Sequence, residues 1–216
     1  AQDNLYGDVK NRAKNVHAGN LVRITFHNNG RLGSVKGDQT PAYTGEWPIG
    51  SGKVQMGNTS AYVMSEMRLP KPGTDSLVVV TPAVFCEGWD PNIFSHDKLG
   101  RFQGFEPLPG FYSMSQKEKD PNHAVAMSHQ AYTWPASWPD KTTDVIDAGW
   151  KNHWNGYFGK DQKNADEESY YVMDDNQYDK KLKALSLPQP TADPIRLGLG
   201  LRVGVRGLQW SNPDAE

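Results

Sequence analysis

The densest run of oxygen-bearing side chains is Asp174, Asp175, Asn176 and Asp179, directly after an apolar stretch. Calcium takes several oxygen ligands, and carboxylates at short spacing in a loop supply them. Asp161, Asn164, Asp166 and Glu167 lie just upstream. The run lacks the glycine and the closing glutamate of a helix-loop-helix calcium loop, so a solvated turn is the competing reading. Calcium is the one cofactor this pattern admits; no other cofactor is expected.

Other chemistry is thinly represented. The histidines are His17, His27, His96, His123, His129 and His153, none two or four residues from another, so no zinc spacing is present. Cys86 is the single cysteine and sits in the apolar run Ala83-Val84-Phe85-Cys86, the setting of an inert buried thiol. No nucleophile elbow, phosphate loop or dinucleotide fingerprint occurs. Glu66, Glu87, Asp90 and Glu106 lie near aromatic residues, and a pair of them in space could serve glycoside cleavage. Their pairing cannot be read from a chain with 25 acidic residues, and no catalytic residue is assigned.

The aromatic series Trp134, Trp138, Trp150, Trp154 and Tyr157 carries a different chemistry. Exposed rings stack on sugar faces, whereas buried rings pack a core. The steps Trp134-Pro135 and Trp138-Pro139 repeat four residues apart. A second contact surface is suggested by Leu197 to Arg206, which alternates with period two. Leu197, Leu199, Leu201, Val203 and Val205 share one face, and Gly198, Gly200, Arg202, Gly204 and Arg206 share the other. Glycine packs nothing in a strand, so Gly198, Gly200 and Gly204 predict the close approach of something flat: a ring of the same chain, another sheet or a neighbouring subunit.

The elements that must position these groups are mostly strands. Leu21 to Phe26 alternates and ends at the turn pair Asn29-Gly30. Ala61 to Leu69 and Leu77 to Phe85 predict further strands, the latter interrupted at Pro82. Ser169 to Met173 predicts another. Residues 1–19 predict irregular chain or a short helix. A loop-rich, aromatic insertion of about residues 86–166 predicts ordered wrapping rather than disorder. Asp75-Ser76-Leu77 fits an acidic–hydroxyl–aliphatic glycosylation pattern at Ser76.

Composition sets the limits. Gly (21) and Pro (15) are frequent, and seven Trp with nine Tyr concentrate the apolar content in large rings. The 216 residues suit a single β-rich module: a mainly β, antiparallel sandwich-like sheet with long Gly/Pro-rich loops and little helix. The net charge of -2 with scattered Lys and Arg argues against nucleic acid. No apolar run approaches the ~18 residues a transmembrane helix needs. The start at Ala1-Gln2 suits a processed N-terminus.

Several segments together resemble a known class. They are Gly45-Glu46-Trp47-Pro48, Trp134-Pro135-Ala136-Ser137-Trp138-Pro139, Trp154-Asn155-Gly156-Tyr157-Phe158-Gly159, 165–175, and 198–211. In this order they resemble the N-terminal region of large secreted surface proteins of Bacteroidota and related phyla, associated with type IX secretion. The resemblance implies export to the bacterial cell surface or beyond, membership of a longer polypeptide, and no catalytic residues. The expected role is that of a structural or adhesive module touching other copies of itself or the rest of its parent chain. The alternative is a carbohydrate-binding or glycoside-cleaving module that uses surface tryptophans on a polysaccharide.

Overall fold

The computed structural model describes residues 5–33, 43–57, 59–60, 62–64, 67–70, 73–80, 83–85, 104–141, 149–176 and 200–211. Its strands are β1 (Lys14–His17), β2 (Ile24–His27), β3 (Tyr62–Met64), β4 (Met67–Pro70), β5 (Leu77–Val80), β6 (Ala83–Phe85) and β7 (Glu106–Pro107). They continue with β8 (Asn155–Gly156), β9 (Gly159–Lys160), β10 (Glu167–Asp174) and β11 (Arg202–Gln209), and a single turn-and-a-half helix, α1 (Met114–Lys119), falls between β7 and β8. The protein is mainly β, with antiparallel pairing throughout the described ladders.

The central sheet has the order β11-β10-β7. Strand β10 is buried along nearly its whole length, on both faces. That explains why Tyr170-Tyr171-Val172-Met173 reads as a continuous apolar run instead of an alternating one. Tyr171 and Met173 enter one core cluster with Phe26, Phe105, Val125 and Met127, against which Val203 and Val205 pack. Tyr170 and Val172 face the opposite way, into a cluster with Leu108, Phe111, Ala126, Trp138 and Trp154.

The register carries these faces into β11. Tyr171 pairs with Val205 and Met173 with Val203, whereas Tyr170 pairs with Arg206 and Val172 with Gly204. The odd residues of β11 therefore lie on the core and the even ones beside Tyr170, as the alternation predicts. The strand itself is displaced toward the C-terminus. Gly200 precedes it with φ +73°, a left-handed conformation that glycine adopts readily, and pairing runs on to Gln209. Residues 197–199, including Gly198, lie outside the described residues.

Residues 5–19 hold both a short helical turn, as the expectation of irregular chain or a short helix allows, and a strand that it does not. Residues 9–11 form a 3-10 turn and β1 follows, paired with β2. Lys14, Asn15 and His17 are buried although polar, because the surroundings supply partners: Asn15 Nδ2 donates to Val125 O at 2.8 Å. Strand β2 is shorter than the predicted Leu21–Phe26, and both Thr25 and Phe26 are buried. The Asn29-Gly30 turn is present, with Gly30 at φ +90°. Within 61–85 the described residues form two antiparallel pairs, β3 with β6 and β4 with β5, and Pro82 lies outside the described residues. Residues 19–22 meet the end of β11: Gly19 N donates to Gln209 Oε1 at 2.7 Å, Gln209 Nε2 to Val22 O at 2.8 Å, and Asn20 Nδ2 to Trp210 O at 2.9 Å.

Candidate functional site

The aromatic series divides into two populations. Trp138 and Trp154 are 0% exposed and meet edge to face, with centroids 5.7 Å apart. Their indole N–H groups are satisfied internally: Trp138 Nε1 donates to His153 O at 2.8 Å and Trp154 Nε1 to Glu168 Oε2 at 2.9 Å. Trp134 and Trp150 are partly buried against the same cluster, and Trp134 Nε1 donates to Met127 O at 2.7 Å. Lys141 Nζ lies 4.8 Å from the Trp150 ring centroid. Trp138 and Trp154 are thus core residues with no face left for a sugar, so these two follow the core-packing reading and not the surface one.

Tyr157 belongs to the other population. It is 69% exposed and its neighbour Phe158 is 74% exposed, and the two form the turn between β8 and β9. Their rings meet edge to face at 5.0 Å. Trp210, just past β11, is 54% exposed, and its Nε1 donates to Asn164 O at 2.7 Å, which fixes the ring's edge. Together with Leu208 these rings wall an open groove of about 480 Å³. That volume is within the usual range of ligand sites, roughly 300–1,000 Å³.

The groove's floor is the even face of β11. Gly204 is exposed, and a Cβ there would sit 3.8 Å from the Tyr170 ring. At Gly204 the neighbouring flat group is the Tyr170 ring of the same chain, at ordinary contact distance. Arg206 crosses the floor: its guanidinium lies 4.1 Å from the Tyr170 centroid and 5.9 Å from that of Tyr157, and Nη1 donates to Asn155 O at 2.6 Å. Beyond Gly204 a second hollow of about 200 Å³, lined by Leu108, Phe111, Pro139, Asp140 and Arg202, continues along the strand. Burial, reinforced by the neighbouring Asp140, pushes the Tyr170 phenol up, so it remains a donor and bonds Asp140 Oδ2 at 3.0 Å.

Gly200 lies away from the groove, beside Tyr6, Asp174, Asp175 and Asn176 around a small hollow of about 70 Å³. Asp174 Oδ1 accepts from Gly7 N at 3.0 Å and from Asn176 N at 3.1 Å, and Asp175 Oδ1 accepts from Leu201 N at 3.0 Å. Burial raises the Asp174 pKa despite those bonds. These carboxylates hold backbone together at the end of β10. Asp179 lies outside the described residues. No cluster of three or more His, Cys, Asp or Glu suited to a metal occurs among the described residues. Ser76 is exposed in the turn before β5, with Oγ 3.0 Å from Thr74 Oγ1.

Glu106 is fully buried and paired with Arg12, whose Nε lies 2.8 Å from Oε2. Burial raises its pKa, against the lowering effect of Arg12. Glu66, Glu87, Asp90 and Cys86 fall outside the described side chains.

One constellation was invisible in the sequence. His17 Nε2 lies 2.9 Å from Ser169 Oγ, and His17 Nδ1 lies 3.5 Å from Glu167 Oε2. A hydroxyl, an imidazole and a carboxylate in that order are the parts of an acyl-transfer triad. Here the hydroxyl is closed off: Ser169 is 1% exposed, and Gly207 N donates to its Oγ at 3.2 Å. A nucleophile must meet its substrate, so this trio acts as a bolt between β1 and the central sheet. With 152 residues between His17 and Ser169, no local motif could announce it.

No family model matches the chain, and no curated protein or solved structure matches it.

Proposed function

We propose that this protein is a non-catalytic extracellular module, structural or adhesive, that works by contact through the groove along β11. One observation carries the reading: Tyr157, Phe158 and Trp210 hold their rings in water around a side-chain-free floor at Gly204. Apolar rings kept exposed and held in place are costly unless they meet something. The enclosure of Ser169 supports the non-catalytic half. The extracellular half rests on the resemblance of the Trp-Pro and glycine-strand segments to secreted surface proteins. Other copies of the chain, the rest of a longer parent polypeptide and polysaccharide are the partners this chemistry admits.

Bead adhesion tests it. Beads coated with the protein should clump with one another or attach to polysaccharide-coated surfaces, and beads coated with Y157A/F158A should do so at least tenfold less. Equal behaviour of the two coatings, or none from either, overturns the reading.

A further inference from the structure

We infer that the groove binds an acidic polysaccharide, with sugar faces against Tyr157, Phe158 and Trp210 and a uronate carboxylate against Arg206. The inference rests on the contact reading above and names its ligand.

Three observations lead to it. First, the exposed rings are separated by a floor with no side chain at Gly204. A chain of flat pyranose rings fits a slot of this kind, since each ring presents C–H groups to an aromatic face and hydroxyls to the rim. Second, the rim is polar where the rings stop: Asn164 lies at the Trp210 end, and Asp140 lines the adjoining hollow. Third, Arg206 is the one charged residue among those lining the larger hollow, and it is a cation in a chain of net charge -2.

Charge decides between occupants. A neutral apolar protein surface pressed on the groove would strip water from the guanidinium and add no charge to those of Glu168 and Asp140. A second copy docked about a two-fold axis through the groove would bring one Arg206 toward the other. A uronate would add a carboxylate to those of Glu168 and Asp140, which already act on Arg206, and it suits the planar guanidinium fork. Tyr157 and Tyr170 flank that guanidinium and hold it in the groove.

The experiment follows tryptophan fluorescence and binding heat while the protein is titrated with polygalacturonate and alginate, with neutral laminarin as the comparison. At least one uronate polymer should bind, tenfold or more tightly than laminarin, and its affinity should fall with added salt. Y157A/F158A should weaken it tenfold or more. Both residues sit on an exposed turn, so folding is not at issue. R206K, which keeps the charge and loses the fork, should fall between wild type and R206Q. Binding of neither uronate polymer overturns the inference, and so does equal binding of laminarin or full affinity in Y157A/F158A. If bead adhesion persists while uronate polymers fail to bind, the ligand assignment falls and the contact reading stands; if both fail, both fall.

Discussion

Gly207 stands directly over Ser169. Its N–H donates to the serine Oγ at 3.2 Å, and a Cβ at position 207 would lie 2.5 Å from that oxygen and 2.7 Å from His17 Nε2. No left-handed φ requires glycine at 207; the space above the bolt does. G207A is therefore expected to destabilise the fold by about 1–3 kcal/mol, the usual range for overpacking. Chemical denaturation measures it. S169A/G207A should recover part of the loss, and a G207A protein as stable as wild type would refute the packing argument.

The two aromatic populations make a sharper contrast. W138A and W154A each empty a fully enclosed site and remove an internal hydrogen bond. Each should cost about 3–5 kcal/mol. Y157A and F158A touch only the exposed turn and should stay within about 0.5 kcal/mol of wild type. Urea midpoints of the four variants check this ordering, and a large loss in Y157A would mean that the turn is part of the core.

Glu167 ties the bolt to acid pH. Burial alone would raise its pKa, but His17, the Ala18 N–H and the charge of His129 together hold it below its ordinary value. Ala18 N donates to Oε2 at 2.8 Å, and His129 Nε2 lies 3.5 Å from Oε1. A carboxyl with a lowered folded pKa binds protons less readily folded than unfolded. It contributes stability above its unfolded pKa and loses it as pH falls through the folded one. Unfolding free energy should drop between about pH 5 and pH 3, and E167Q should show a shallower drop. Matching pH profiles for the two proteins would discount Glu167 as the titrating group.

Calcium should leave the melting temperature unchanged. The Oδ1 atoms of Asp174 and Asp175 are already engaged by Gly7, Asn176 and Leu201 N–H groups, and a cation would have to replace bonds that fix the end of β10. Thermal melts in excess calcium and in chelator test this. A midpoint that rises with calcium and falls with chelator would restore the metal reading of the 174–179 run.

The strongest strands were legible because their side chains obey simple rules. Strand β11 shows period two, and β10 is an apolar run of the length a doubly covered strand needs. Strand β1 was not legible: Lys14-Asn15-Val16-His17 looks polar, and its burial depends on partners such as Val125 that lie far along the chain. Helix α1 did leave a trace, since Ser113 caps the N–H of Gln116 at 3.2 Å in a Ser-x-x-Gln pattern. The groove was half visible. Tyr157 stood out as aromatic, but the turn that carries it did not. The turn residues are Tyr157 and Phe158 themselves. Two large rings where turns favour Gly, Asn or Pro were the feature that set this turn apart. Trp210 was seen only as chain following a strand.

The bonds joining Gly19, Asn20 and Val22 to Gln209 and Trp210 span 187 to 190 residues. Pairing between β10 and β11 likewise skips a long intervening stretch. Contacts this distant in sequence slow folding, because a large loop must close before they repay its entropy. During synthesis β10 is made before β11, and its β11-side edge stays unpaired until β11 emerges. That interval is when the chain is most exposed to misassociation or to capture by a chaperone, and it ends only when the glycine-faced strand arrives.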